Sequence, residues 1–256
     1  LLPWTPSYLW CIDAKTAEQA YLTEHQGVTL QGAILAGGDR LYIPQGRAAP
    51  ITLNQNDGKK TGTIGQAGGT FCLLTEDNQL IAGPPNQKER DEQLRIADPK
   101  SGKRLTTFNN TTRVVVTEGK AYLHSIDNLQ CLDLTRKAQL ETLLNTQRAA
   151  LKNLDPKVET TLDQIEALKK EISKLQTQIK SCLLWTIDHP APFELVVAGD
   201  QLIVGLDNQV SILSTKTGKS LWQAPVKGKS YGITAAEGRL IVSTDLGYIH
   251  TFHFKP

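Results

Sequence analysis

Short runs of alternating apolar and polar residues, separated by turns that contain Gly, Asp or Asn, recur along most of the chain. The clearest copy spans residues 199–222, where three apolar segments are separated by Asp207-Asn208 and by Thr217-Gly218. Alternation with a period of two is typical of half-buried β-strands. Gly, Asp and Asn favour the tight turns between such strands. The pattern therefore predicts a repeated strand–turn–strand unit.

The first turn of this unit and the strand after it occur five times. One apolar position of this strand is equivalent in all five copies, and it is occupied by Leu41, Leu80, Ala121, Leu202 and Leu240. Successive copies are separated by 39, 41, 81 and 38 residues. A second turn of the Gly-Lys type, at Gly58, Gly102 and Gly218, belongs to the same unit. A unit of about 40 residues with four short strands has the size of a propeller blade. We therefore predict an all-β propeller with about five to six recognisable four-stranded blades.

One interval is longer than the others by about one unit, and there the pattern changes. Residues 135–181 contain one proline and no glycine, and they are rich in helix-forming residues. Spacings of three and four, typical of a coiled-coil seam, separate Ile165, Leu168, Ile172, Leu175 and Ile179. Asp155-Pro156 matches the start of a second helix. The sequence predicts an antiparallel coiled-coil hairpin, residues 135–181, inserted into one blade of propeller repeats formed by 1–134 and 182–256.

Two interpretations of the hairpin remain open. Its helices pack on each other or on the propeller edge, or they form a projecting arm that binds a partner or a second copy of the chain. At 1.5 Å per residue, a helix of about 20 residues extends roughly 30 Å. The sequence shows no clear second apolar face on either helix.

Composition excludes several classes. The formal net charge is +2, whereas nucleic-acid binders usually carry a concentrated basic face. No run approaches the ~18 apolar residues of a membrane span. Cys11, Cys72, Cys131 and Cys182 are far apart and form no CxxC motif, so we predict free, half-buried thiols.

Residues 199–222 closely resemble the pyrroloquinoline-quinone-type propeller repeat, and residues 9–16 and 96–103 match the same consensus. The family includes quinone-dependent alcohol dehydrogenases and also the propeller lipoprotein of the bacterial outer-membrane assembly machine, which performs no chemistry. The resemblance therefore implies a fold and leaves function open. It also implies an extracytoplasmic or periplasmic location, with a cytoplasmic one as the alternative.

The resemblance implies a specific site for the catalytic members. They hold the quinone between a tryptophan and a disulfide of adjacent cysteines, with calcium and an aspartate base, and no two cysteines are adjacent here. Trp10, Trp185 and Trp222 occupy repeat positions where a large ring packs between blades. No histidine pair, phosphate-binding loop or dinucleotide motif is present. We expect neither a cofactor nor a metal.

The sequence thus predicts a non-catalytic binding or scaffold module with a protein partner. The alternatives are a quinone-dependent dehydrogenase using pyrroloquinoline quinone with calcium, a carbohydrate-active propeller, or the propeller domain of a larger enzyme. Six residues are candidate channel or partner contacts: Arg47, His124, Lys88, Arg90, Asp155 and Lys157. The first two are predicted to follow the second strand of a blade and face a central channel. The next two lie in a charged loop, and the last two lie between the predicted helices.

Overall fold

The computed structural model describes residues 6–29, 34–46, 48–65, 67–75, 78–83, 94–98, 100–102, 104–155 and 161–253. The chain separates into two compact units, residues 1–111 and 112–256. Strands dominate both units, as the alternating pattern predicts.

The first unit contains antiparallel sheets of consecutive strands. A two-stranded sheet, β1–β2, is followed by two four-stranded sheets, β3–β6 and β7–β10. The strands are β1 (Ser7–Ile12), β2 (Gln19–His25), β3 (Leu35–Gly37), β4 (Arg40–Gln45), β5 (Ala48–Asn54), β6 (Lys60–Thr63), β7 (Gly68–Leu74), β8 (Leu80–Gly83), β9 (Leu94–Ala97) and β10 (Arg104–Phe108).

The second unit continues the same arrangement. A four-stranded sheet, β11–β14, is followed by a six-stranded sheet, β15–β20. The elements are β11 (Thr111–Thr117), β12 (Lys120–Ser125), β13 (Asn128–Asp133), α1 (Leu134–Lys152), α2 (Leu162–Lys180), β14 (Leu183–Asp188), β15 (Glu194–Ala198), β16 (Gln201–Gly205), β17 (Asp207–Ser214), β18 (Ser220–Ala236), β19 (Arg239–Thr244) and β20 (Ile249–His253). The long strand β18 pairs with β17 through its first part and with β19 through its last part.

Neighbouring sheets within each unit pack face to face through apolar side chains. In the first unit, Tyr42 and Leu80 belong to a buried cluster between sheets β3–β6 and β7–β10. In the second, Leu129 and Leu202 join β11–β14 to the following sheet, and Leu240 belongs to the cluster around β16–β19. Alternation along each strand supplies these faces, since successive side chains point to opposite sides of a sheet.

An aromatic ring in the outer strand of one sheet docks on a turn of the next. In β14, the Trp185 indole N–H donates to the Thr215 carbonyl at 2.9 Å. The ring lies against Gly218, whose φ is +70° and whose added Cβ would come within 2.9 Å of the Trp185 ring. Burial of an indole usually requires such a hydrogen-bond partner. The predicted packing role holds for Trp185.

In the first unit, Tyr21 takes the equivalent position. Its hydroxyl donates to the Gln55 carbonyl at 3.0 Å, and its ring lies against Gly58. The expectation that Trp10 packs between sheets is wrong, because Trp10 is 61% exposed. Strand alternation explains the difference: in β1, Leu9 and Cys11 point to the more buried face while Trp10 points to the other.

The two helices lie between β13 and β14, which still pair directly with each other. Asp133 caps α1 by accepting the Arg136 N–H at 2.9 Å. The described part of α2 begins at Leu162 with Thr161 in the capping position. Asp155 is therefore not the residue that caps this helix, since several residues separate the two and the Asp155 carbonyl accepts the Thr161 hydroxyl instead.

Candidate binding sites

Four of the six candidate contact residues, Arg47, Lys88, Arg90 and Lys157, lie outside the described residues. The structure places the other two on different elements: His124 in β12 and Asp155 after α1. Asp155 is exposed at the end of the helix pair opposite β13 and β14.

His124 lies within β12 rather than after it, because the strand continues to Ser125. Its side chain is only 1% exposed. Nε2 lies 3.0 Å from the His189 carbonyl oxygen and donates to it, since a carbonyl can only accept. This placement corrects the expected position: His124 is an interior residue of the second unit, and its burial leaves it no surface to offer a partner.

Backbone hydrogen bonds hold the chain where α1 begins and where α2 ends. The Asp133 N–H donates to the Cys182 carbonyl at 2.8 Å, and the Leu134 and Thr135 N–H groups donate to the Gly119 carbonyl at 2.9 and 3.1 Å. Gly119 has a φ of +69°, a left-handed conformation that glycine adopts without strain, and it lies in the turn whose carbonyl accepts these two hydrogen bonds. Two strands that stay paired therefore fix where the helices leave the sheet.

The helices pack on each other along their inner faces. Leu144 of α1 and Leu175 of α2 are buried between them. The outward faces are exposed, and they include Leu143 at 52% and Leu162 at 49% exposure. A pair of 19-residue helices extends about 28 Å at 1.5 Å per residue. The two helices thus present a long exposed surface between β13 and β14.

A cavity of about 490 Å³ opens between the outer strand β14 and the sheet β15–β18, within the second unit. Its size lies in the range of small-ligand sites, ~300–1,000 Å³. The lining residues that carry the argument are Ile187, His189, Phe193, Gln209, Ser211 and Gln223. Sequence reasoning misses this site, because the alternation in β17 assigns Gln209 and Ser211 to a polar face without showing that another sheet stands opposite.

The polar side chains of the cavity form a small network. The Gln209 amide nitrogen donates to the Ser211 hydroxyl oxygen at 2.8 Å and to the Gln223 amide oxygen at 3.4 Å. Ser211 is 4% exposed. A buried polar group without partners costs free energy. The network therefore organises this wall of the cavity.

His189 lines the cavity as a neutral imidazole. Burial lowers its pKa below the usual 6.5, an effect larger than the opposing hydrogen bond to Pro190. Its Nδ1 lies 2.9 Å from the Pro190 carbonyl and donates to it, so Nε2 carries the lone pair. The described lining thus holds one carboxylate, Asp207, and no Lys or Arg.

Cys72 and Cys131 are poor candidates for nucleophiles. All four thiols are unpaired. Burial raises the pKa of Cys72 to about 12 and that of Cys131 to about 11, and the thiolate is the reactive form. Within the described ranges, no group of three or more His, Cys, Asp or Glu side chains is placed to hold a metal ion.

In the part of the chain that the structure describes, neither helix has the length and apolarity needed to cross a bilayer.

Comparisons with known proteins agree with the repeat. Residues 178–253 match the family described as "Outer membrane protein assembly factor BamB". The crystal structure of BamB from Moraxella catarrhalis aligns with a TM-score of 0.55 at 13% identity, over 96% of this chain and 79% of that one. The computationally designed Ika8 protein aligns with a TM-score of 0.59 at 10% identity, over 93% of this chain and 63% of its own. No curated protein sequence matches.

These similarities confirm the predicted repeat type and the β-propeller fold. At 13% and 10% identity, the likeness to solved structures shows the fold alone. What the chain binds has to be argued from its own surfaces.

Proposed function

We propose that this chain is a non-catalytic binding module of the quinoprotein-like propeller type, and that the α1–α2 hairpin is the arm that contacts a protein partner. The observation that carries the proposal is the direct pairing of β13 with β14 across the insertion, from Asn128↔Asp188 to Leu132↔Leu183. A short turn joins antiparallel strands equally well. The sheet does not need the two helices, so we assign them a role outside it.

The exposure of the hairpin supports this role. Buried side chains on the helices are limited, among the residues described, to Leu134, Leu144 and Leu175. The rest of both helices is half-buried or exposed to solvent. Helices that present one rigid face are a common way to bind a partner groove or helix. We propose that α1 and α2 wind around each other as a two-helix coiled coil.

The strand order supports about five to six blades. Three sheets have four strands each and one has two. The six-stranded sheet equals a four-stranded blade, β15–β18, whose last strand β18 also pairs with β19, so that β18, β19 and β20 form part of the next blade. The match of residues 178–253 to an outer membrane protein assembly factor favours an extracytoplasmic location and an assembly or scaffold role. We propose both for this chain.

Site-specific photo-crosslinking tests the partner role. A photoreactive amino acid replaces Leu143 or Leu162 on the hairpin, and in the control it replaces Leu221 on β18, which is exposed to a similar extent at 58%. We expect the two hairpin positions to yield the same discrete adduct in cells and the control position to yield none. Mass spectrometry identifies the partner, and an adduct of twice the chain mass identifies a second copy.

A variant without the helices provides the second test. Residues 135–181 are replaced by a two-residue turn, which the 2.8 Å bond between Asp133 and Cys182 permits by bringing the strand ends together. We expect the variant to keep the circular dichroism signal of its β-sheets. We also expect that it no longer co-purifies with the protein that the crosslinking identifies. A folded variant that still co-purifies the partner in full would refute the role of the hairpin.

A further inference from the structure

The cavity beside β14 is lined by polar as well as apolar side chains. On one face of β17 and β18, Val210, Ile212 and Trp222 pack against the following sheet in an apolar cluster. On the other face, Gln209 and Gln223 point into the 490 Å³ cavity instead. Sheets that pack directly bury apolar side chains on their facing sides. Leu213, on the same face of β17, belongs to the apolar cluster between the sheets, so the cavity combines an apolar lining with polar side chains that can hydrogen-bond an occupant.

The charges of the lining do not favour ionic ligands. Among the described residues, no Lys or Arg side chain lines the cavity, and the Lys229 ammonium, 5.5 Å from the centroid of the Phe193 ring, contacts that ring. His189 adds no positive charge, because burial lowers its pKa. One carboxylate, Asp207, is too few for the oxygen shell of a hard cation. This distribution of charge favours a neutral occupant.

The hydrogen-bonding groups exclude a purely apolar ligand. Gln209 uses both N–H groups on Ser211 and Gln223, which leaves its carbonyl oxygen as an acceptor. Ser211 accepts that bond, and its own O–H meets no acceptor within the described ranges. Nε2 of His189 is a second acceptor, since Nδ1 carries the proton. An apolar ligand would strip water from these groups and return no hydrogen bond.

The remaining lining is apolar and partly rigid. Ile187, Leu206 and Leu213 line the cavity with Phe193. The Phe193 ring is held by Tyr231, with ring centroids 4.9 Å apart, and by Lys229, whose ammonium lies 5.5 Å from the ring centroid. An apolar lining with a few placed donors and acceptors is the usual composition of a small-molecule site.

We propose that this cavity binds a neutral saccharide of one or two rings. Each sugar hydroxyl is both donor and acceptor, and so it can pair with the Ser211 O–H, the Gln223 amide, the Gln209 carbonyl or His189 Nε2. The C–H faces of a pyranose ring suit the apolar wall. This site lies in the sheets and does not depend on the hairpin proposal.

Saturation-transfer difference NMR followed by calorimetric titration tests the proposal with four neutral disaccharides: maltose, cellobiose, lactose and N,N′-diacetylchitobiose. At least one is expected to bind saturably with a Kd below about 1 mM. Gln223→Leu is expected to weaken that binding about tenfold, which corresponds to the loss of one or two hydrogen bonds. The matched control is Gln201→Leu, an exposed glutamine on β16 outside the cavity, which is expected to leave the Kd unchanged.

Three results would overturn the proposal. They are the absence of saturable binding for all four sugars, an equal effect of Gln223→Leu and Gln201→Leu, and binding of an uncharged blocked Ser-Asn-Gly peptide in place of every sugar. The last result would assign the cavity to a polypeptide. Ser211→Ala, a second variant, removes only the buried hydroxyl, and we expect it to weaken sugar binding while the melting temperature confirms an intact fold.

Discussion

The contact between Trp185 and Gly218 permits a quantitative test of how successive sheets are joined. Gly218 has a φ of +70°, and an added Cβ would lie 2.9 Å from Cε3 of the Trp185 ring. Gly218→Ala therefore combines two penalties: a left-handed conformation that disfavours any Cβ, and a displacement of the ring. Gly199, with a φ of +57° and open space around the added Cβ, isolates the first penalty.

The expected magnitudes follow from these contacts. The left-handed conformation alone costs about 1 kcal/mol for alanine, and this is the expected effect of Gly199→Ala. Displacement of the ring also weakens the 2.9 Å bond to the Thr215 carbonyl, which adds about 1–2 kcal/mol. Gly218→Ala is thus expected to cost about 2–3 kcal/mol.

A double-mutant cycle with Trp185→Leu separates the two contributions. In the Trp185→Leu background the ring is gone, and Gly218→Ala should cost only the conformational ~1 kcal/mol, so the coupling energy should be about 1–2 kcal/mol. Urea unfolding followed by far-ultraviolet circular dichroism measures each free energy of unfolding. The signal comes mainly from α1 and α2, which both belong to the second unit.

Two outcomes would contradict this reasoning. One is that Gly218→Ala costs no more than Gly199→Ala. The other is that Gly218→Ala costs the same with and without the Trp185 ring, within the ~0.5 kcal/mol expected for uncoupled sites. Either result would mean that the indole does not rest on this turn.

Three further predictions concern chemistry and pH. Because burial raises the pKa of Cys72 to about 12 and that of Cys131 to about 11, both thiols should react with iodoacetamide at pH 8 far more slowly in the native chain than in urea; peptide mass spectrometry measures this, and equal rates would refute it. Hydrogen bonds from the Ser101 and Lys100 N–H groups lower the pKa of Asp98 below 3.8, so its contribution to stability is present above about pH 4 and is lost as the pH falls through the lower, folded-state pKa. The melting-temperature difference between the wild type and Asp98→Asn should shrink from about pH 5 toward about pH 2, and a constant difference would count against this contribution. Titration with pyrroloquinoline quinone plus calcium should give no saturable heat, whereas micromolar binding would support the enzymatic alternative.

The sequence by itself is sufficient for the repeat, and its change of period predicts where helices interrupt the strands. Both depend on patterns that are local in the chain. The period of two places Leu202 and Val204 on one face of β16, and the change of period after Leu134 marks the start of α1. A turn that needs a positive φ, as at Gly218, is also visible as a residue type. Such signals are recognisable in the sequence without knowing which element packs against the strand.

The candidate contacts illustrate where sequence reasoning fails. The end of an apolar run favours His124 as a residue beyond its strand, but the strand continues to Ser125 and the His124 side chain is buried. The residue type of Asp155 favours a helix start, although the described helix begins at Leu162. The ends of helices and strands are the part of a fold that sequence patterns locate least precisely.

The tertiary structure alone decides which faces meet. Alternation shows that Gln209 and Ser211 share a side of β17, and the same alternation is equally consistent with a side that faces water. Only the placement of β14 opposite that side forms the second wall of the open 490 Å³ cavity. Likewise, Trp10 and Trp185 have similar sequence contexts, and only the neighbouring turn at Gly218 gives one of them a docking site. The physical reason is that a strand encodes two faces, whereas the distance and identity of what each face meets are set by the packing of whole sheets.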